Sequence, residues 1–162
     1  TRIAAACAQQ DYHPLWVSQD GSVTGAFLTT PALNGTLSAQ PVFPYADTST
    51  PAEQAFDAAL KQYAPDVINN GANFSENDAE AWTAGMLFVA AAQAANLGDN
   101  PVAAQVKQGL YALHGATLGG LAPPLTFTPG KATQVPCYFY MGVSGGHFTT
   151  PYGLKTFCMP AA

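Results

Sequence analysis

The sequence predicts an α/β domain, and three observations carry that prediction. Capped segments with apolar residues at helical spacing recur between Thr50 and Leu113. Short apolar runs bounded by Gly and Pro flank them on both sides, as strands would. The two kinds of segment follow one another without an internal repeat or a low-complexity tail, which is the α/β pattern. The chain has 162 residues, enough for one ordinary domain or two small lobes with a real core.

Residues 3–10 read as the last turns of an Ala-rich helix. The opening TRIAAACAQQ begins as if already inside that helix, so Thr1 is expected to be the edge of a fragment rather than a processed end. Leu15-Trp16-Val17 reads as a short buried strand, left by the polar loop Ser18-Gln19-Asp20-Gly21. Open α/β sheets keep ligand-contacting groups in such loops. Residues 23–33 read as a short helix or an irregular turn, 37–43 as a strand, and Pro44-Tyr45-Ala46-Asp47 as its close.

Three helices follow. Thr50-Pro51-Ala52-Glu53 is a strong start: Thr50 can cap, Pro51 suits the first helical position, and Glu53 completes a capping box. Phe56, Ala59, Leu60 and Tyr63 then form one apolar stripe, and Pro65 ends it. Asn77 or Ser75 caps the second helix, with Asp78 and Glu80 placed where the helix dipole favours them. Its expected buried face is Trp82, Met86, Val89 and Ala90, fading at Gln93 before Asn96-Leu97-Gly98 stops it. The many alanines imply close packing against a neighbouring layer. Asn100-Pro101 is expected to start the third helix, which carries Val102, Val106, Leu110 and Leu113 and ends at Gly115 and Gly119-Gly120.

The remainder returns to strand. Leu125-Thr126-Phe127 alternates and is broken by Pro129-Gly130, while residues 134–143 suit a pleated, mostly buried strand. Ser144-Gly145-Gly146-His147 turns the chain and Phe148 starts the return. A hairpin centred near Gly145-Gly146 would bring Cys137 and Cys158 together, which predicts a disulfide and an oxidising compartment. The alternative is two buried thiols. Cys7 has no such partner and reads as a buried thiol or the partner of something upstream.

Composition excludes some functions. Hydrophobic residues make up 48% and charged residues 9%, with five Lys+Arg against ten Asp+Glu and a net charge of -5. Nucleic-acid binding needs a basic surface that this chain can scarcely assemble. No run approaches the about 18 apolar residues of a membrane helix; positions 81–97 come nearest, and their Ala, Gln and Asn suit a buried helix. No P-loop or dinucleotide fingerprint is present, so no cofactor is expected. His13, His114 and His147 lack metal-ligand spacing, so no metal site is expected. Gly142-Val143-Ser144-Gly145-Gly146 matches the G-x-S-x-G nucleophile elbow. That elbow needs a following helix and a downstream acid, and no Asp or Glu occurs after Asp99, so a hairpin turn is the better reading.

The joint order of elements resembles the second half of type I periplasmic binding proteins, in their leucine/isoleucine/valine-binding ABC-transporter branch. The resemblance is carried by the AWTAGMLFVAAAQAANLG helix, the VKQGLYAL helix and the GLAPPLTFTPGKATQVPCYFYMGVSGGHF ending. It implies part of a two-lobe fold with three-layer α/β/α lobes. Residues 1–40 and 134–162 would belong to one lobe, the ligand-binding lobe 2, and 46–130 to the other, with crossings near 41–45 and 131–134. The implied function is an extracytoplasmic solute-binding receptor of an ABC importer, in the periplasm or on the cell surface as a lipoprotein, and not an enzyme. Its implied partners are a small-molecule ligand such as an amino acid, a membrane permease, and the missing N-terminal half of the same protein.

In amino-acid-binding members an acidic residue after the strand matching Leu15-Trp16-Val17 holds the ligand's ammonium group, and Asp20 occupies that place. Ser18 and Gln19 share its loop and are the secondary candidates. The alternative for Asp20-Gly21 is a plain turn. Two rival functions stay open at this stage: a sensor or protein-interaction module on the same fold, and a serine hydrolase using Ser144.

Overall fold

The computed structural model describes residues 1–19, 22–69 and 74–160. In chain order the elements are α1 (Arg2–Gln9), β1 (Val17–Ser18), β2 (Leu37–Gln40), α2 (Pro51–Tyr63), α3 (Pro65–Asn69), α4 (Glu76–Ala94) and α5 (Ala103–Ala112). There follow β3 (His114–Ala116), β4 (Leu125–Thr126), β5 (Cys137–Ser144), β6 (His147–Thr149) and β7 (Phe157–Cys158). Between β1 and β2, positions 23–33 form two short 3₁₀ turns, Gly25–Phe27 and Pro31–Leu33, instead of a helix.

Local chemistry explains the helix starts. The Glu53 amide donates to Thr50 Oγ1 at 3.3 Å, and the Thr50 amide donates to Glu53 Oε2 at 2.7 Å, the reciprocal capping box. Ser49 Oγ donates to the same carboxylate oxygen at 3.3 Å, so the fully buried Glu53 is held by its own helix start. Replacing Thr50 by Ala is expected to cost about 1 kcal/mol. A urea melt unchanged by that substitution would show that the cap contributes nothing. Ser75 is the cap of α4, its amide donating to Asp78 Oδ2 at 3.1 Å. Pro65 ends α2 by opening α3.

Several sequence expectations need correction. Tyr63 is 78% exposed, because the apolar stripe of α2 is covered only near Phe56. Val89 is 42% exposed, and the buried positions of α4 are Glu76, Ala79, Thr83 and Ala91. The third helix starts at Val102, not at Asn100-Pro101: the Val102 amide donates to Gln105 Oε1 at 3.0 Å. It also ends earlier, at Ala112, and Gly115 lies in a strand that periodicity had hidden. There β3 pairs antiparallel with β4, and the Gly115 amide donates to Thr126 Oγ1 at 2.9 Å.

The main sheet has the order β1-β2-β5-β6, with β7 also on β5. β1 runs parallel to β2, and all other neighbours are antiparallel. Leu15 and Val17, expected to be buried, are 70% and 68% exposed, because β1 is an edge strand paired only with β2. The β5–β6 turn is the expected hairpin. Ser144 faces His147, and Gly145 and Gly146 take φ values of 59° and 76°, which a two-residue turn of this hand requires.

Cross-strand register sorts the sheet faces. Ser38 faces Met141 and Gln40 faces Phe139 on the buried side, where Met141 and Val143 join Val23, Phe43, Tyr45, Phe56, Ala79 and Leu121 in one core cluster. Phe43 and Phe56 meet edge to face at 5.2 Å, and Trp82 packs on Phe56 at 5.9 Å. Tyr45 Oη donates to the Val23 carbonyl at 3.2 Å. Burial, then the nearby Glu76 and Asp78 carboxylates, hold that phenol above the ordinary tyrosine range, so it stays a donor. On the other face Tyr138, Tyr140, Tyr152 and Phe157 form an aromatic cluster, with Lys155 Nζ 5.1 Å from the Phe157 ring centre. The hydrogen bond between the Tyr138 and Tyr140 hydroxyls is the main cause of the raised Tyr140 phenol.

Candidate functional site

Strand direction decides where a ligand site can form. β1 and β2 are parallel, so their carboxyl ends, at Ser18 and Gln40, lie at one end of the sheet. β5 is antiparallel to β2 and therefore begins at that same end, with Cys137 and Tyr138. Crevices outside strand carboxyl ends are where open α/β sheets bind ligands.

A hollow of about 240 Å³ opens there, lined among others by Gln19, Ala39, Pro41, Tyr138 and Met159. A second hollow of about 310 Å³ shares Pro41, Val135 and Cys137 with it and reaches the flank of α4 at Glu80, Thr83 and Leu87. Together they make a groove with mostly apolar walls. Val135 and Met159 are 40% and 62% exposed, a sizeable apolar offering to a ligand. Among the described residues that line the groove, Glu80 carries the one charge.

The predicted residues divide. Gln19 lines the groove and is exposed. The Ser18 hydroxyl is engaged inside its own loop: it hydrogen-bonds the Ser22 hydroxyl and lies 3.4 Å from the Gln19 carbonyl. Ser22 Oγ donates to the same carbonyl at 2.6 Å. Asp20, the residue on which the sequence reading placed most weight, lies outside the described residues. Pro41, Val135, Tyr138, Met159 and Glu80 were not singled out from sequence as site residues. No local signal marks them: the start of β5 meets the carboxyl ends of β1 and β2 only through the antiparallel pairing of β2 with β5.

The disulfide supports this end of the sheet. Cys137 and Cys158 are bonded, with their Cα atoms 3.9 Å apart, and the Met159 amide donates to the Pro136 carbonyl at 2.9 Å. Two larger hollows lie elsewhere. One of about 420 Å³ sits at the opposite end of the sheet, by Asn34, Gly145 and Gly146. The other, of about 450 Å³, lies by α1, Trp16 and Phe27. Size alone does not make either the better site; the carboxyl ends of the parallel pair β1 and β2 do not point into the first, where β5 ends instead, and the second flanks the exposed edge strand.

The nucleophile-elbow match forms strand, turn and strand rather than strand, turn and helix. Asn34 Oδ1 accepts from the Gly145 amide at 2.8 Å, so a side chain from the preceding crossover fastens the turn. Among the described residues no group of three or more His, Cys, Asp or Glu is placed to hold a metal ion, and no helix is long and apolar enough to cross a membrane.

A sequence model of the family described as periplasmic binding protein matches residues 1–147. The chain belongs to the periplasmic binding protein family. No curated protein matches it. Two solved binding-protein structures share its fold. One is a branched chain amino acid ABC transporter protein from Thermus thermophilus with bound valine, at TM-score 0.74 and 16% identity, matching 97% of this chain and 42% of that one. The other is a fatty acid ABC transporter substrate-binding protein from Thermomonospora curvata, at TM-score 0.70 and 16% identity, with 97% and 40% covered. The chain thus spans about two fifths of the length of those binding proteins, and carries part of the type I periplasmic-binding-protein fold.

Proposed function

We propose that this chain is part of an extracytoplasmic receptor for an ABC importer, which captures a small molecule such as a branched-chain amino acid between two lobes. The observation that carries the reading is the apolar groove at the carboxyl ends of β1 and β2, edged by Gln19 and Tyr138. Family membership supports it, as do relatives whose names specify a branched-chain amino acid and a fatty acid. Both ligands have an aliphatic part that such walls would desolvate. In this reading residues 1–40 and 134–162 belong to one lobe and 46–130 to the other, with 41–45 and 131–134 as crossings. Closing the lobes over the ligand would create the form that a membrane permease recognises.

Asp20 is assigned to the ligand's ammonium group, with Gln19 and Ser18 as neighbours in the same loop. A carboxylate gains attraction for a cation as closing walls exclude water. Asp20→Ala in the intact protein is therefore expected to weaken amino acid binding by roughly tenfold to a hundredfold, read by calorimetry with valine. Unchanged affinity would remove Asp20 from the site. Native mass spectrometry of the purified protein tests the receptor itself. A retained small molecule supports it, and a folded protein that retains none and binds no amino acid or fatty acid points to an interaction module.

A further inference from the structure

Asn followed by Gly is the dipeptide that rearranges most readily, because no side chain hinders the Gly nitrogen as it attacks the Asn side-chain carbonyl carbon. The sequence holds two such pairs, Asn34-Gly35 and Asn70-Gly71, the second outside the described residues. The fold pins the first pair at both reacting groups. The Gly35 amide donates to the Val143 carbonyl at 2.7 Å, and the Gly145 amide donates to Asn34 Oδ1 at 2.8 Å. Asn34 has ψ 134°, which turns the Gly35 nitrogen away from the Asn34 side chain. Ring closure needs that nitrogen eclipsed with Cβ instead. Hydrogen bonds on either side hold the angle. The Asn34 amide donates to the Pro31 carbonyl at 3.1 Å, and the Thr36 hydroxyl donates to the Leu33 carbonyl at 2.7 Å. The Val143 amide completes the set by donating to the Thr36 carbonyl at 3.0 Å. The bonds made by Val143 and Gly145 run between the crossover and the β5–β6 hairpin, so opening the hairpin frees both reacting groups together.

We propose that Asn34 is a latent self-modification site: the closed hairpin locks it, and opening of that end of the sheet converts it irreversibly. The Gly35 nitrogen loses its proton and bonds to Asn34 Cγ, the Cγ–Nδ2 bond breaks, and ammonia leaves. Water then adds to either carbonyl of the resulting succinimide and opens the ring. Addition at Cγ gives aspartate, which keeps an acceptor for the Gly145 amide. Addition at the main-chain carbonyl carbon gives isoaspartate, whose main chain carries an extra methylene. That methylene displaces Gly35 from Val143 and leaves the hairpin unfastened. The bonds that form the lock lie wholly within this chain, and the inference does not depend on the ligand reading.

The test incubates the intact protein at mildly alkaline pH, with and without denaturing urea. Peptide mass mapping that separates the Asn, Asp and isoAsp forms follows Asn34 and Asn70. In urea the two sites are expected to convert at similar rates. In buffer Asn34 is expected to convert at least about tenfold more slowly than in urea, because only the locally opened fraction reacts. Gly146→Ala puts a side chain at φ 76° in the turn, and is expected to speed Asn34 conversion roughly fivefold to thirtyfold, with circular dichroism verifying the fold. The purified isoAsp form is expected to exchange its amide hydrogens faster over 143–149 than the unmodified protein, whereas Asn34→Asp is not. Native conversion as fast as in urea, a rate unmoved by Gly146→Ala, or isoAsp protein that exchanges like the unmodified form would overturn the inference. The comparison of buffer with urea decides it even where Gly146→Ala fails to fold. None of these outcomes touches the receptor reading, which the retained ligand in native mass spectrometry decides separately.

Discussion

Replacing Gly109 by Val is expected to destabilise the protein by about 3 kcal/mol, the upper part of the range for an overpacked interior site. Gly109 is the buried residue of α5, and it is where α5 crosses α4. A Cβ built there would lie 1.9 Å from the Ala91 carbonyl oxygen, 2.7 Å from its carbon and 3.1 Å from the Ala91 Cα. Those are backbone atoms, so no side chain can turn aside; one helix must move away from the other. Even Ala at 109 should lose more from that displacement than the about 1 kcal/mol it gains in helix propensity. Gly85 in α4 provides the contrast, since a Cβ there meets nothing within 4 Å. Gly85→Ala should therefore stabilise by roughly 0.5–1 kcal/mol. Urea midpoints of the two Ala variants should move in opposite directions. If both rise, α4 and α5 are not in contact at this point.

Reducing the Cys137–Cys158 bond is expected to cost about 3 kcal/mol, the chain-entropy value for a loop of this size. The two residues are 21 apart in sequence and face each other across β5 and β7. The turn at Gly145-Gly146 does not by itself bring them into register. Had the β5–β6 pairing continued, Cys137 would face Leu154; the bend through 150–156 supplies the four additional residues that bring Cys158 opposite instead. The cross-link therefore holds a register that the hairpin alone would not choose. Because Cys137 also lines both hollows of the groove, reduction should weaken ligand binding as well as stability. A Cys137→Ser/Cys158→Ser double variant should unfold at correspondingly lower urea and lose its sensitivity to reductant. Cys7, a half-buried free thiol, is the control: Cys7→Ser should leave the reductant effect intact. Equal stability with and without reductant would show that the bond contributes no constraint.

Much of this molecule was legible from residues a few positions apart. The Thr50/Glu53 capping box, Pro65 as a helix break and the Gly145-Gly146 hairpin all follow from short-range chemistry or from one turn. Each depends on hydrogen bonds or backbone angles that the neighbouring residues themselves supply. The α/β class was legible for the same reason, as a sum of such local preferences.

What only the tertiary structure decided was which side of each element is covered. Periodicity placed Tyr63 and Val89 on apolar stripes and made Leu15 and Val17 a buried strand, yet all four are exposed. A stripe states where a neighbour would be welcome, and the neighbour's position is set by contacts far away in sequence. The strand β3 was hidden because three residues cannot show a period and their partner, β4, lies beyond a 3₁₀ turn. The groove has the same origin. Gln19, Pro41, Glu80, Tyr138 and Met159 come from separate segments and share no motif. They converge because β1 and β2 run one way and β5 the other, and strand direction is a property of the assembled sheet rather than of any stretch of sequence.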